Sequence, residues 1–147
     1  AADVDVNATC LLPTETATAL ILACGRGHVG IVDMLIYANA DVNATTEDGE
    51  TALMKACVGG HETVVQRLLN AQADISIVNR AGKTALMYAR AQGYGSIVEM
   101  LIKANADINV TDSSGKTAYD FAVESGFAQI VIMLQHARFR EEVCRMC

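Results

Sequence analysis

Between residues 61 and 70 the apolar positions are Val64, Val65, Leu68 and Leu69, at i, i+1, i+4 and i+5. That spacing lays them on one broad helical face and predicts a helix of about ten residues beginning near His61. A shorter apolar run, Ala52 to Val58, precedes it and reads as a first helix. Thr51 opens that helix as an N-cap, its hydroxyl accepting from an N–H that the helix itself cannot pair. Gly60 supplies the left-handed backbone that ends it. After the second helix an Ala-Asp-Val-Asn segment, as at Ala40-Asp41-Val42-Asn43, turns the chain, and a Gly-x-Thr step (Gly49, Gly82, Gly115) returns it to the next unit.

This unit recurs. Thr18-Ala19-Leu20, Thr51-Ala52-Leu53, Thr84-Ala85-Leu86 and the degenerate Thr117-Ala118-Tyr119 are spaced by 33 residues each time. Gly27, Gly60, Gly93 and Gly126 keep the same register, as do Leu35, Leu68, Leu101 and Leu134. Helices this short are marginal alone and persist only when stacked on neighbours. The expectation is therefore an all-α solenoid of stacked helix–turn–helix units joined by β-hairpin-like loops.

The period, the helix pair and the signature Thr51-Ala52-Leu53-Met54-Lys55-Ala56 resemble the ankyrin repeat, over residues 14–137. The resemblance divides the chain into a partial unit at 1–13, repeats at 14–46, 47–79 and 80–112, and a capping repeat at 113–147. The opening Asp3-Val4-Asp5-Val6-Asn7 looks like the tail of a preceding unit, offset around Pro13, so the chain is expected to start inside a longer array. That start would leave an apolar face near Leu11, Leu12, Leu20 and Ile31. Departures from the family are equally specific. Its signature Pro is Ala in every unit, and its His is Ile21, Met54, Met87 or Asp120. Its glycine after the second helix is Asn39, Gln72 or Asn105, where Gln tolerates a left-handed backbone poorly. The end of the last unit, from Gln135 and His136 through Arg138, Arg140, Glu141 and Glu142, reads as a polar cap.

Composition narrows the partner. A net charge of −6, with residues 1–50 at −7 and 51–147 at +1, gives no basic footprint for nucleic acid. No run approaches the roughly 20 apolar residues of a membrane span, and no secretory signal opens the chain. Five cysteines, an odd number, read as reduced thiols in an intracellular, cytoplasmic or nuclear protein. A monomer is expected, with end-to-end dimerisation through the N-terminal face as the alternative.

Chemical constellations are weak. Cys24-x3-His28 and Cys57-x3-His61 imitate zinc spacing, but they are the same two positions of successive repeats, and stacked helices sit roughly 8–10 Å apart. The same distance excludes a Cys24–Cys57 disulfide. Cys144-x-x-Cys147 is a weak redox signal at the chain end. Glu47-Asp48 and Glu141-Glu142 read as solvated charge, and Gly25-x-Gly27 and Gly59-Gly60 as helix ends. Met34, Met54, Met87, Met100 and Met133 read as core. No catalytic site, cofactor or metal is expected.

What remains is a surface. The resemblance implies one face made of hairpin tips and the exposed side of the first helices. By register that face takes Thr14, Glu15, Ala17 and Arg26 from the first unit, then Glu47, Asp48, Glu50 and Lys55. The third unit adds Arg80, Lys83, Tyr88 and Gln92; the fourth adds Ser113, Ser114, Lys116, Phe121, Glu124 and Ser125. Acidic on one side, basic on the other and centred on Tyr88 and Phe121, it resembles a protein-binding hot spot. The leading expectation is a scaffold that binds a partner peptide or domain there. Two alternatives stand beside it. Asn43 and Asn109 fit the Leu-x5-Asp-hydrophobic-Asn pattern hydroxylated on Asn in many ankyrin repeats, which Ser76 breaks, and the array could be a regulatory fragment of a larger enzyme or channel.

Overall fold

A computed structural model describes residues 5–12 and 15–146, and for 9–12 and 15–17 it describes the backbone alone. Thr14, Pro13, Asp3, Val4 and Cys147 lie outside the described residues. The chain opens with a two-stranded antiparallel ribbon, β1 (Thr9–Leu12) and β2 (Glu15–Thr18), in which Thr9 faces Thr18. Four helix pairs follow: α1 (Ala19–Gly25) with α2 (Val29–Tyr37), α3 (Ala52–Gly59) with α4 (Glu62–Asn70), α5 (Ala85–Ala91) with α6 (Gly95–Lys103), and α7 (Ala118–Glu124) with α8 (Ala128–Met146). The first helices stack in one row, the second helices in another, and each pair packs across the two rows.

The threonine of each unit starts its first helix as the sequence implies. Thr18, Thr51 and Thr84 accept from the amides of Ile21, Met54 and Met87 at 3.2–3.3 Å. In the last unit Asp120 replaces an apolar residue and closes a reciprocal cap. Its carboxylate accepts from the Thr117 amide at 2.8 Å and the Thr117 hydroxyl at 2.7 Å, which holds its pKa below the usual carboxylate range. Each first helix has its C-cap at or one residue before a left-handed glycine, and Gly27, Gly60 and Gly93 also make room for the next unit. A Cβ on Gly60 would stand 2.5 Å from the Tyr94 ring, and one on Gly93 would stand 2.8 Å from Phe127. The second helices end on left-handed Asn39, Gln72 and Asn105, with φ near 60°.

The core is the seam between the rows. Leu20, Leu53 and Leu86 from the first helices meet Val32, Val65 and Val98 from the second. Burying each such side chain contributes about 1.5–3 kcal/mol, which a seven-residue helix cannot gain alone. Behind the rows, asparagines tie successive units together. Asn7 Oδ1 accepts from the Asp41 amide at 2.7 Å, and Asn43 Oδ1 accepts from the Asp74 amide at 2.8 Å. Asp5-Val6-Asn7 thus makes the same turn as Asp41-Val42-Asn43, each Asp carboxylate accepting from the amide two residues on at 2.9 Å.

Three expectations need correction. Leu20 is buried, whereas Ile31 on α2 is 45% exposed although Val64 and Ile97 at the same repeat position are 0% exposed; the side chains of Leu11 and Leu12 are not described. Among the described residues the exposed apolar side chain Ile31 there belongs to α2, and Leu20 of α1 is not part of such a face. Met34 is exposed too, on the outer side of α2, where the next unit has the exposed Arg67; only Met54 and Met87 of the methionine set are fully buried. Finally, α8 runs on to Met146, and its far end is not wholly polar, since Phe139, Val143 and Met146 are exposed beside the charged residues.

Candidate protein-binding face

Polar side chains at 46, 79 and 112 build the hairpins that carry the face. Asn79 Oδ1 accepts from the amides of Ala81 and Lys83 at 3.0 and 2.9 Å, and Asp112 Oδ1 accepts from those of Ser114 and Lys116 at 2.8 and 3.1 Å. Thr46 does the same for Glu50 at 3.1 Å. Neighbouring tips are then stitched by backbone bonds of 2.9 Å, Arg80 N–H to the Asp48 carbonyl and Ser113 N–H to the Ala81 carbonyl. Tight tips bring Glu50, Lys83 and Lys116 alongside the first helices, within reach of the side chains at the fourth residue after each capping threonine: Lys55, Tyr88 and Phe121.

On that surface one network crosses three units. Lys55 forms an ion pair with Glu50. The Tyr88 hydroxyl donates to Glu50 Oε1 at 2.9 Å and accepts from Asn79 Nδ2 at 2.9 Å. Partial burial and the Glu50 carboxylate together push the Tyr88 phenol up to about 12. The Lys83 ammonium lies 5.9 Å from the centroids of both the Tyr88 and Phe121 rings. Lys116 lies 5.6 Å from the Phe121 centroid and pairs with Glu124 at 2.7 Å. Charges along the strip are thus interleaved in pairs and do not segregate into an acidic and a basic side.

Not every sequence-predicted residue joins. Asp48 and Arg80 pair at 3.6 Å at the exposed tips, and Glu47 is exposed beside them. Arg26 and Gln92 are exposed caps at the far ends of α1 and α5, away from the tips. Thr14 is outside the described residues, and the side chains of Glu15 and Ala17 are not described. Asn43 and Asn109 are exposed on the opposite, asparagine side, where Asn109 Nδ2 donates to Glu141 Oε2 at 3.1 Å.

Two functional neighbours escaped the sequence reading. Asn79 orients Tyr88 while shaping its own hairpin. Arg90 lies under Phe121, its Cζ 4.3 Å from the ring centroid. Both were readable from the 33-residue register: Asn79 falls at the polar position of Thr46 and Asp112, and Arg90 puts a charge where two other units have Cys24 and Cys57.

The cysteine–histidine pairs do not converge. Cys24 and Cys57 are buried free thiols pushed up to about 12 by desolvation, and the His61 ring sits 3.1 Å from the Gly25 carbonyl oxygen. Among the described residues no three His, Cys, Asp or Glu side chains gather as a metal site would require. A surface depression of about 450 Å³ lies away from the strip, between the end of α6 and α8, with Ile102, Ile108, Arg140 and Cys144 in its walls.

A family model of ankyrin repeats (three copies) matches residues 2–79 and again residues 60–143, nearly the whole chain. The chain belongs to the ankyrin-repeat family. No curated protein matches it in sequence. Ankyrin repeats are generally protein–protein interaction modules. As an ankyrin-repeat array, the chain has no helix among its described residues that is long and apolar enough to cross a membrane.

Proposed function

We propose that this ankyrin array is a protein-binding scaffold, not an enzyme, and that it holds a peptide or domain of its partner on the strip from Glu50 to Glu124. One observation carries the reading: two hydrogen bonds hold Tyr88 to Glu50 and Asn79, and the half-buried Phe121 lies beside it among Lys83 and Lys116 on a single face. An aromatic side chain held in place, as Tyr88 is, loses little freedom on binding, and the water displaced from both rings supplies affinity. The surrounding charges set orientation and encounter rate. An intracellular setting goes with this reading, because the buried thiols Cys24 and Cys57 are unpaired.

The test is capture of a partner from lysate by the wild-type chain and by a Tyr88→Ala, Phe121→Ala double variant matched for folding by circular dichroism. A protein retained by the first and lost by the second supports the reading. Equal retention by both overturns it.

A further inference from the structure

Arg90 is the most deeply buried charged side chain of the described residues, 1% exposed. Its Nη2 donates to the Met87 carbonyl at 3.4 Å, while Nε and Nη1 have no acceptor among the described residues. Asp120 and Glu124 act on it through space, yet neither forms an ion pair with it; Asp120 is engaged by Thr117 and Glu124 by Lys116. A guanidinium left in this condition is costly, because a buried donor without an acceptor forfeits its hydration with nothing in return. Nε and Nη1 keep open N–H groups, each able to give a charge-assisted bond to a carboxylate oxygen. The half-buried Phe121 ring of the strip stacks on it, and Lys83 and Lys116 stand about the same ring. Among the described residues neither Lys83 nor Arg90 forms a direct ion pair, although the Asp120 and Glu124 carboxylates lie near Arg90.

We propose that this end of the strip is a carboxylate subsite: an Asp or Glu side chain of the partner swings Phe121 aside and docks on Arg90, with Lys83 closing over it. The assignment rests on the strip being the partner-binding face. It names the chemistry of one contact there, an acidic residue next to a residue able to pack on Phe121.

The test is a titration of the isotope-labelled chain with an alternating Gly–Glu octapeptide, with the Gly–Gln octapeptide as control, following the Arg90 Nε–H and Phe121 ring resonances by NMR. Saturable shifts of both are expected with the Glu peptide only. The affinity should fall about ten-fold in Arg90→Met, and by a few-fold in Lys83→Gln, whose surface position leaves the fold alone. Equal affinity in both variants, equal binding of the Gln peptide, shifts confined to Arg138, Arg140 and Arg145 of α8, or no shift at all would each overturn the assignment. The last result would mean that trapped water satisfies Arg90. Lysate capture separates this inference from the wider reading. A partner lost by Tyr88→Ala, Phe121→Ala but kept by Arg90→Met, Lys83→Gln overturns the carboxylate subsite and leaves the strip standing. A partner kept by both double variants overturns the two together.

Discussion

Tyr88 on α5 donates its hydroxyl to the Glu50 carboxylate of the preceding unit, 2.9 Å away across the repeat boundary. The bond ties a first helix to its neighbour's hairpin and fixes the ring on the strip. Replacing Tyr88 by Phe leaves the ring but removes the bond. We expect a loss of about 1–1.5 kcal/mol of stability by chemical denaturation at neutral pH. The effect also has a pH sign. The folded-state phenol is raised to about 12 from an ordinary 10, so the bond's contribution is full below pH 10 and fades as pH rises toward 12. The difference between wild type and Tyr88→Phe should therefore shrink over that window. A gap that stays constant there would mean the hydroxyl contributes nothing that titrates.

Gln72 has a φ of 60°, a backbone that its Cβ disfavours and glycine does not. Gln72→Gly should raise stability by roughly 0.5–1 kcal/mol, read as a higher midpoint in urea. Asn39→Gly and Asn105→Gly should gain less, because Asn visits this region more readily. A lowered midpoint in Gln72→Gly would contradict the reading.

Ile31 and Val64 hold one repeat position on α2 and α4, the first 45% exposed and the second 0%. Val64→Ala should cost about 2–3 kcal/mol, since it empties packed space, and Ile31→Ala under about 1 kcal/mol. Thermal unfolding of the two variants checks this. Equal losses would show that Ile31 is covered in solution.

Cysteine reactivity should divide along the same structural lines. The thiols of Cys24 and Cys57, raised to about 12 by burial, should resist iodoacetamide in the native chain at pH 8, whereas the exposed Cys144 on α8 should label readily. Mass mapping of labelled peptides reads this out, and prompt labelling of Cys57 would contradict the packing described. The same two shifts make stability fall as pH rises above the ordinary thiol value of 9 toward 12, because the folded state resists forming a buried thiolate.

Most of the fold was legible because a repeat states each rule three or four times. Thr51 as a cap, Gly60 as a stop and Gln72 as a left-handed residue were each read from one unit and checked by the next. The strip was legible in the same way at Glu50, Lys83, Tyr88, Lys116 and Phe121. Contacts across units were harder to read. Register places Tyr88 and Phe121 one repeat apart, but it does not say that Glu50 reaches Tyr88, or that Arg90 folds beneath Phe121 into a place that Cys24 and Cys57 fill elsewhere. Ends were the least legible. Leu20 and Ile31 share a unit, yet only the first is buried, and α8 outruns its repeat with Phe139 and Met146 exposed.

The central claim, that the hairpin and first-helix face binds the partner, has a direct rival on the same molecule. Met34 and Tyr37 on α2 are exposed apolar side chains on the second-helix side. The decisive measurement is the dissociation constant of a captured partner for wild type, for Tyr88→Ala with Phe121→Ala, and for Met34→Ser with Tyr37→Ser, by titration calorimetry. The account expects the first double variant to weaken binding at least ten-fold, a loss of about 1.4 kcal/mol or more, and the second to leave it unchanged. The reverse order would place the partner on the second-helix face and contradict it.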